Sequence, residues 1–266
     1  MRDVAAASGF TGGALLAARG LVFEADGRRL IDRVDIDIRA GCRLVIMGAN
    51  GAGKSLLLRL LHGLVAPCAG TVQWKGRRLD RAARNHQAMV FQRSVMLRRS
   101  VVANLEFALA VRRLDRAERA RRSARALANA RLGDLARRPA RVLSAGEQQR
   151  LAVARALACA PEMLLLDEPT ANLDPDSTLA IENLVGEACR QGVTVVTVTH
   201  DPRQARRLGD EIAFMHRGDI AEIGAASSVL DRPRSPAARA WLEGRLAVDQ
   251  APCETPMGKE KTDAKE

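Results

Sequence analysis

Gly48-Ala49-Asn50-Gly51-Ala52-Gly53-Lys54-Ser55 has glycine at its first and sixth positions with Lys-Ser directly after, the G-x-x-x-x-G-K-[ST] spacing of a phosphate-binding loop. Its flanks give the loop an address. Arg43 to Met47 reads as a short buried strand, and Leu56, Leu57, Leu58, Leu60 and Leu61 read as the apolar side of a following helix. Glycine permits the backbone dihedrals and close approach that a loop wrapped around phosphate requires. The helix starting near Lys54 brings the positive end of its dipole to the same point, where amides and ammonium converge on a β-phosphate. Gly48, Asn50, Gly51, Ala52, Gly53, Lys54, Ser55 and Leu56 are therefore the candidate nucleotide-binding residues, and the Ser55 hydroxyl is a candidate magnesium ligand.

The rest of the chain bounds what this loop can serve. At 266 residues it is long enough for one large domain, or one domain with a subdomain. No run approaches the roughly 18 apolar residues that a membrane span requires. Ala5 to Ala18 is broken by glycines and lies beside Asp3, so no signal peptide is expected. The five cysteines are widely spaced and lack any paired metal spacing, as expected of reduced, cytosolic thiols. Much of the formal net charge of +11 is local: eleven arginines against three acids fall between Arg112 and Arg141, on a stretch predicted to be helical. That face is either simply solvated or held near anionic lipid headgroups or a basic-tolerant partner, in which case binding to acidic vesicles falls with salt.

Residues 1 to 18 and 247 to 266 are expected to be tails. From Leu21 to Phe91 the pattern is strand-rich, with Val34-Asp35-Ile36-Asp37-Ile38 alternating as a half-buried strand and short strands at Thr71 to Trp74 and Ala88 to Phe91. From Ser100, a candidate N-cap, to about Ala158 the chain reads as helical with a break at Pro139, which predicts an inserted helical subdomain over about 95–158. A strand to Leu166, a helix from about Ser177, a strand ending near Val198 and shorter elements to Gly224 follow. The expected fold class is α/β, with a parallel-sheet core around the loop and an antiparallel β subdomain before it.

Three further stretches carry chemistry. Met163 to Leu166 is an apolar strand ending in Asp167-Glu168, the place where ligands sit in α/β sheets. Asp167 there can hold magnesium through its water shell, and Glu168 can polarise an attacking water. Leu143-Ser144-Ala145-Gly146-Glu147-Gln148-Gln149-Arg150 is a polar turn feeding a helix whose Leu151, Val153, Ala154 and Leu157 face a core. His200 lies at the end of a sheet strand, before Asp201-Pro202.

The Leu143–Arg150 stretch resembles the signature of ABC-type ATPases, with Ala145 in place of the usual glycine. The other motifs stand in that family's order: phosphate loop, glutamine loop at Gln92, signature, acidic strand, D-loop at Ala171-Asn172-Leu173-Asp174, and switch histidine at His200. The resemblance covers about residues 19–246. It implies ATP and Mg2+ as cofactors, Glu168, His200 and Gln92 as catalytic residues, and Ser55, Gln92 and Asp167 around the metal. It also implies a head-to-tail dimer in which Ser144, Gly146 and Glu147 of one copy close on the ATP of the other. Phe23 is the nearest candidate for the ring the family places under adenine, since the chain has no tyrosine. The implied partners are transmembrane permease subunits, a second copy of the chain and, indirectly, a periplasmic or surface substrate-binding protein, with the chain on the cytoplasmic face of the cell membrane. Val95-Met96-Leu97 suits docking to such a partner or packing against the helical subdomain.

Val90 to Val101 and Asp201 to Leu208 further resemble importers of tungstate- or molybdate-like oxyanions. Phosphate or amino-acid import are the alternatives. A DNA- or ribosome-associated ATPase is disfavoured by the single phosphate loop and by the lack of sustained heptads or an aromatic-interleaved basic patch, and no nucleic acid is expected as a partner. A non-hydrolysing sensor conflicts with having Lys54, Asp167, Glu168 and His200 together.

Overall fold

The computed structural model describes residues 13–245. Strands β1 (Leu16–Ala25) and β2 (Arg28–Ile38) form a hairpin that leads into β3 (Arg43–Gly48) and, through the loop, into helix α1 (Lys54–His62). Then come β4 (Ala69–Trp74), β5 (Arg77–Arg78), the short α2 (Arg81–Arg84) and β6 (Gln87–Val90). Three helices follow, α3 (Val101–Val111), α4 (Arg116–Asn129) and α5 (Ala145–Ala158). The chain re-enters the sheet as β7 (Met163–Asp167), continues through α6 (Pro175–Arg190), β8 (Thr194–Val198) and α7 (Pro202–Leu208), and closes with β9 (Glu211–His216), β10 (Asp219–Ala225), α8 (Ala226–Asp231) and α9 (Pro236–Leu242).

These strands form an antiparallel sheet in the order β2-β1-β4-β5 and a six-stranded sheet in the order β10-β9-β3-β8-β7-β6, parallel except for β10. The expected α/β class and its antiparallel companion sheet are both present. Helix α1 lies in the core that joins the sheets: Leu57, Leu58, Leu60 and Leu61 pack with Leu16, Leu21 and Ile31 from one and Ile46, Leu165 and Val196 from the other. Each such fully buried leucine contributes about 1.5–3 kcal/mol through area removed from water. Alternation in β7 sends Leu165 to this core and Leu164 and Leu166 to a second, shared with α3, α4, α5 and α6. Both faces of the strand that delivers Asp167 and Glu168 are thereby buried, which holds its end rigid.

Several boundaries move. β1 begins at Leu16, inside the stretch read as an N-terminal tail, because Leu16 to Ala18 pair with both β2 and β4 and Leu16 and Ala18 are fully buried. Residues 1–12 and the expected tail at 247–266, with Cys253, lie outside the described residues. The four described cysteines are free thiols, and burial pushes Cys42 up to about 12 with neighbouring Glu211 adding to the shift. Ser100 is the N-cap of α3, accepting from the Ala103 amide, but the chain is not helical throughout to Ala158. Residues 130–144 are turns and two short 3-10 segments, so the arginine-rich stretch spans α4 and the turns on both sides of it rather than one helix. The "shorter elements" after Val198 include two full strands, β9 beside β3 and β10 at the sheet edge.

Candidate nucleotide site

The loop between β3 and α1 is built at a place only glycine can occupy. Gly48 has φ +142°, and a Cβ there would lie 2.1 Å from the carbonyl oxygen of Met215 in the adjacent strand β9. Gly53, at φ +99°, caps α1 from the left-handed region, with the Ile31 side chain and Leu30 carbonyl at 2.9 and 3.0 Å from a hypothetical Cβ. The hairpin thus presses on the loop from one side and β9 from the other. Lys54 is buried, and its ammonium donates to the carbonyls of Gly48 and Ala49, both at 2.9 Å. Burial lowers the Lys54 pKa, while Glu168 and Asp167 oppose that shift. An anion seated on the loop adds to the charges that keep this ammonium protonated.

Ser55 Oγ donates to Asp167 Oδ1 at 2.6 Å, bridging the start of α1 to the end of β7. Burial raises the Asp167 pKa, and the Ser55 hydrogen bond acts against it. A hydroxyl and a carboxylate in contact are hard oxygen donors of the kind Mg2+ takes, and among the described residues no cluster of three or more His, Cys, Asp or Glu forms a self-sufficient metal site. The arrangement fits a metal that shares its coordination with nucleotide phosphates and water.

Glu168 follows immediately, held at φ +44° with its amide donating to the Val198 carbonyl at the end of β8. Gln92 Nε2 lies 3.3 Å from Glu168 Oε2, and His200 Nδ1 lies 3.4 Å from Oε1. Three elements therefore converge on one carboxylate: β6 through Gln92, β7 through Glu168 and β8 through His200. Their neighbouring order in the sheet makes that convergence a consequence of topology.

Ser144 caps α5 in a capping box, accepting from the Glu147 amide while Glu147 accepts from the Ser144 amide at 2.8 Å. Glu147 serves that cap. A Cβ on Gly146 would lie 2.1 Å from Ser177 Oγ, so its lack of a side chain lets α5 touch the start of α6 beside Asp174. Ala145 is exposed in the first turn of α5 and needs no left-handed backbone, which explains why alanine serves there. Among the described residues, no hydrogen bond or ion pair joins Ser144 or Gly146 to the phosphate loop of the same chain.

Phe23 keeps part of its surface exposed. It pairs with Ile31 across the hairpin and packs, partly buried, against the core between the sheets, while Leu30, whose carbonyl lies against Gly53, is 40% exposed. Of Val95-Met96-Leu97, Met96 packs in the second core, Leu97 is half-buried and Val95 is 70% exposed, so packing claims Met96 and leaves Val95 at the surface. Two buried polar residues were not anticipated. Gln204 on α7 donates to Thr170 Oγ1 at 2.7 Å, tying the helix after His200 to the start of the D-loop, and Gln149 on α5 fastens the segment around Gln92. A polar residue inside an amphipathic helix leaves no periodic signal of such roles.

Comparison with known proteins gives the family of the chain. The family profile described as ABC transporter matches residues 31–171. The chain belongs to the ABC transporter family. This ABC ATPase is 38% identical over 256 residues to the phosphate import ATP-binding protein PstB 2 of Natronomonas pharaonis, covering 88% of this chain and 90% of the relative. It is 36% identical over 232 residues to the methionine import ATP-binding protein MetN of Nocardia farcinica, covering 84% and 70%. Among solved structures it resembles an ATP-binding cassette determined as a dimer in a post-hydrolysis state bound to ADP and Pi, with a TM-score of 0.71, 28% identity and coverage of 79% and 98%. The ABC ATPase fold and ATP-hydrolysing class follow.

Proposed function

We propose that this chain is the ATP-hydrolysing subunit of an importer for a tetrahedral oxyanion, with tungstate or molybdate, and then phosphate, as the cargo to test first. The convergence of Gln92 and His200 on Glu168, beside the Ser55–Asp167 pair, carries the catalytic part. Similarity to a phosphate importer's ATPase supports the oxyanion class, while similarity to a methionine importer's ATPase supports amino-acid import as the second reading.

Loop amides and Lys54 hold the phosphates, while Ser55 and Asp167 hold Mg2+. The metal, when bound, neutralises charge developing on the phosphate oxygens. Glu168 accepts the proton of the attacking water, which Gln92 and His200 help to orient. This leaves one side of the terminal phosphate uncovered by the chain's own groups. The N-terminus of α5, with the Ser144 hydroxyl and the Gly146 amide, supplies donors for it from a second copy.

Among the described residues no helix is long and apolar enough to cross a membrane. As the ATP-binding subunit of an importer, the chain acts on permease subunits at the cytoplasmic face, with exposed Phe91 and Val95 flanking Gln92 as contact residues. A substrate-binding protein outside the cell supplies cargo without touching this chain. Uptake of tungstate, molybdate, phosphate and methionine in a strain lacking this gene tests the assignment. Loss of one oxyanion supports it, and loss of methionine uptake with normal oxyanion uptake contradicts it.

A further inference from the structure

The segment that carries Gln92 is fastened to the helix that carries the signature. Gln149, one and a half turns along α5 from Ser144, is only 5% exposed. Its side-chain amide donates to the Phe91 carbonyl at 3.3 Å, and its Oε1 accepts from the Ser94 hydroxyl. It grips the chain on both sides of Gln92. The next residues are held in the same way: Arg155, also on α5, donates to the Val95 carbonyl at 3.1 Å, and the fully buried Asn104 on α3 accepts from the Leu97 amide at 3.0 Å. Arg141 donates to the Met96 carbonyl at 3.3 Å. Gln92 itself reaches across to Glu168. The loop that touches the catalytic carboxylate is thus hydrogen-bonded as part of the helical subdomain.

We infer that Gln149 is a positioning residue that couples the two ATP sites of a pair of chains. This rests on the dimeric arrangement proposed above. A partner's nucleotide, on meeting Ser144 and Gly146, fixes the N-terminus of α5. A packed helix is stiff, so the same displacement reaches Gln149 and, through Phe91 and Ser94, sets where Gln92 stands against Glu168. Closure at one site then favours catalysis at the other by a coupling that is reciprocal. Losing the Gln149 contacts leaves the phosphate loop and Glu168 in place and removes the connection, and it also leaves the Phe91 carbonyl without that donor.

The test uses the full chain. ATP turnover is measured against ATP concentration for the native protein, Gln149→Leu, Gln149→Glu and Ser94→Ala, with binding of a fluorescent ATP analogue to dilute protein and thermal melting recorded alongside. Gln149→Glu keeps the acceptor for Ser94 and loses the donor to Phe91, so it reports even if Gln149→Leu folds poorly. The native protein is expected to show a Hill coefficient above 1, falling to about 1 in both Gln149 variants, with kcat/KM lower by roughly 2- to 30-fold and analogue binding unchanged. Gln149→Leu combined with Ser94→Ala is expected to be no worse than Gln149→Leu alone. A Hill coefficient of 1 in the native protein, or one unaltered by either Gln149 change, overturns the coupling. Sizing Glu168→Gln and Glu168→Gln/Gln149→Leu with ATP separates the two claims. A dimer in both, with cooperativity intact, defeats only the coupling, whereas no dimer in either defeats the pairing on which it rests.

Discussion

His200 Nδ1 stands 3.4 Å from Glu168 Oε1, while the other carboxylate oxygen, Oε2, faces the Gln92 amide at 3.3 Å. The two neighbours approach from strands on either side of β7, so each constrains a different oxygen. His200→Ala leaves the phosphate loop untouched and frees one side of the carboxylate. Misplacing a reacting group by about 1 Å costs roughly 100-fold. Turnover is accordingly expected to fall at least tenfold, with ATP affinity, measured by equilibrium binding, changed little. A variant with unaltered kcat excludes a role for His200 in the reaction.

Asp167 is held against its ordinary tendency to ionise: burial raises its pKa, only partly offset by the Ser55 hydrogen bond. A carboxyl with a raised folded pKa costs the nucleotide-free protein stability once pH exceeds its unfolded value, and the cost reaches its full size above the folded pKa. Asp167→Asn removes that charge and keeps an acceptor for Ser55. The nucleotide-free variant is expected to be more stable at pH 7 by roughly 0.5–2 kcal/mol in urea unfolding, the gain shrinking as pH falls toward 4, while ATP turnover is lost. Equal stability at pH 7 contradicts a net cost from burying this carboxylate.

Gly146 meets Ser177 where α5 touches α6, at a distance no Cβ can share. Gly146→Ala forces the signature helix away from the D-loop. Overpacking of this kind costs roughly 1–3 kcal/mol. A lowered melting temperature and reduced turnover are expected, with part of both restored by adding Ser177→Gly. If the second change restores nothing, the contact is not what requires glycine.

The parts of this molecule that were legible in its sequence are those whose chemistry needs a fixed local spacing. Gly48 to Ser55 declares itself because phosphate requires glycine, lysine and hydroxyl at set intervals, and Asp167-Glu168 because an apolar strand ending in two acids is conspicuous. Long-range pairing was not legible. Leu16 to Ala18 sits in an alanine- and glycine-rich stretch and is buried only by strands that follow it by about twenty and fifty-five residues. Phe23 stands out by composition as the nearest ring, but its partial burial against the core beside Ile31 depends on a pairing that sequence does not show. Gln149 gave no signal, since nothing in a helical repeat marks a glutamine that will meet Phe91 and Ser94 across the fold.

On the function proposed above, Glu168 activates the water that hydrolyses ATP in a site completed by a second chain. Glu168→Gln keeps side-chain shape and removes the base, so it should bind ATP and Mg2+, pair and stall. Light scattering during gel filtration, with turnover measured on the same sample, tests this most directly. With ATP and Mg2+ the variant is expected at twice the monomer mass and at least 100-fold slower than the native protein. A monomer that hydrolyses ATP at the native rate rules out both Glu168 as the base and a site shared between chains.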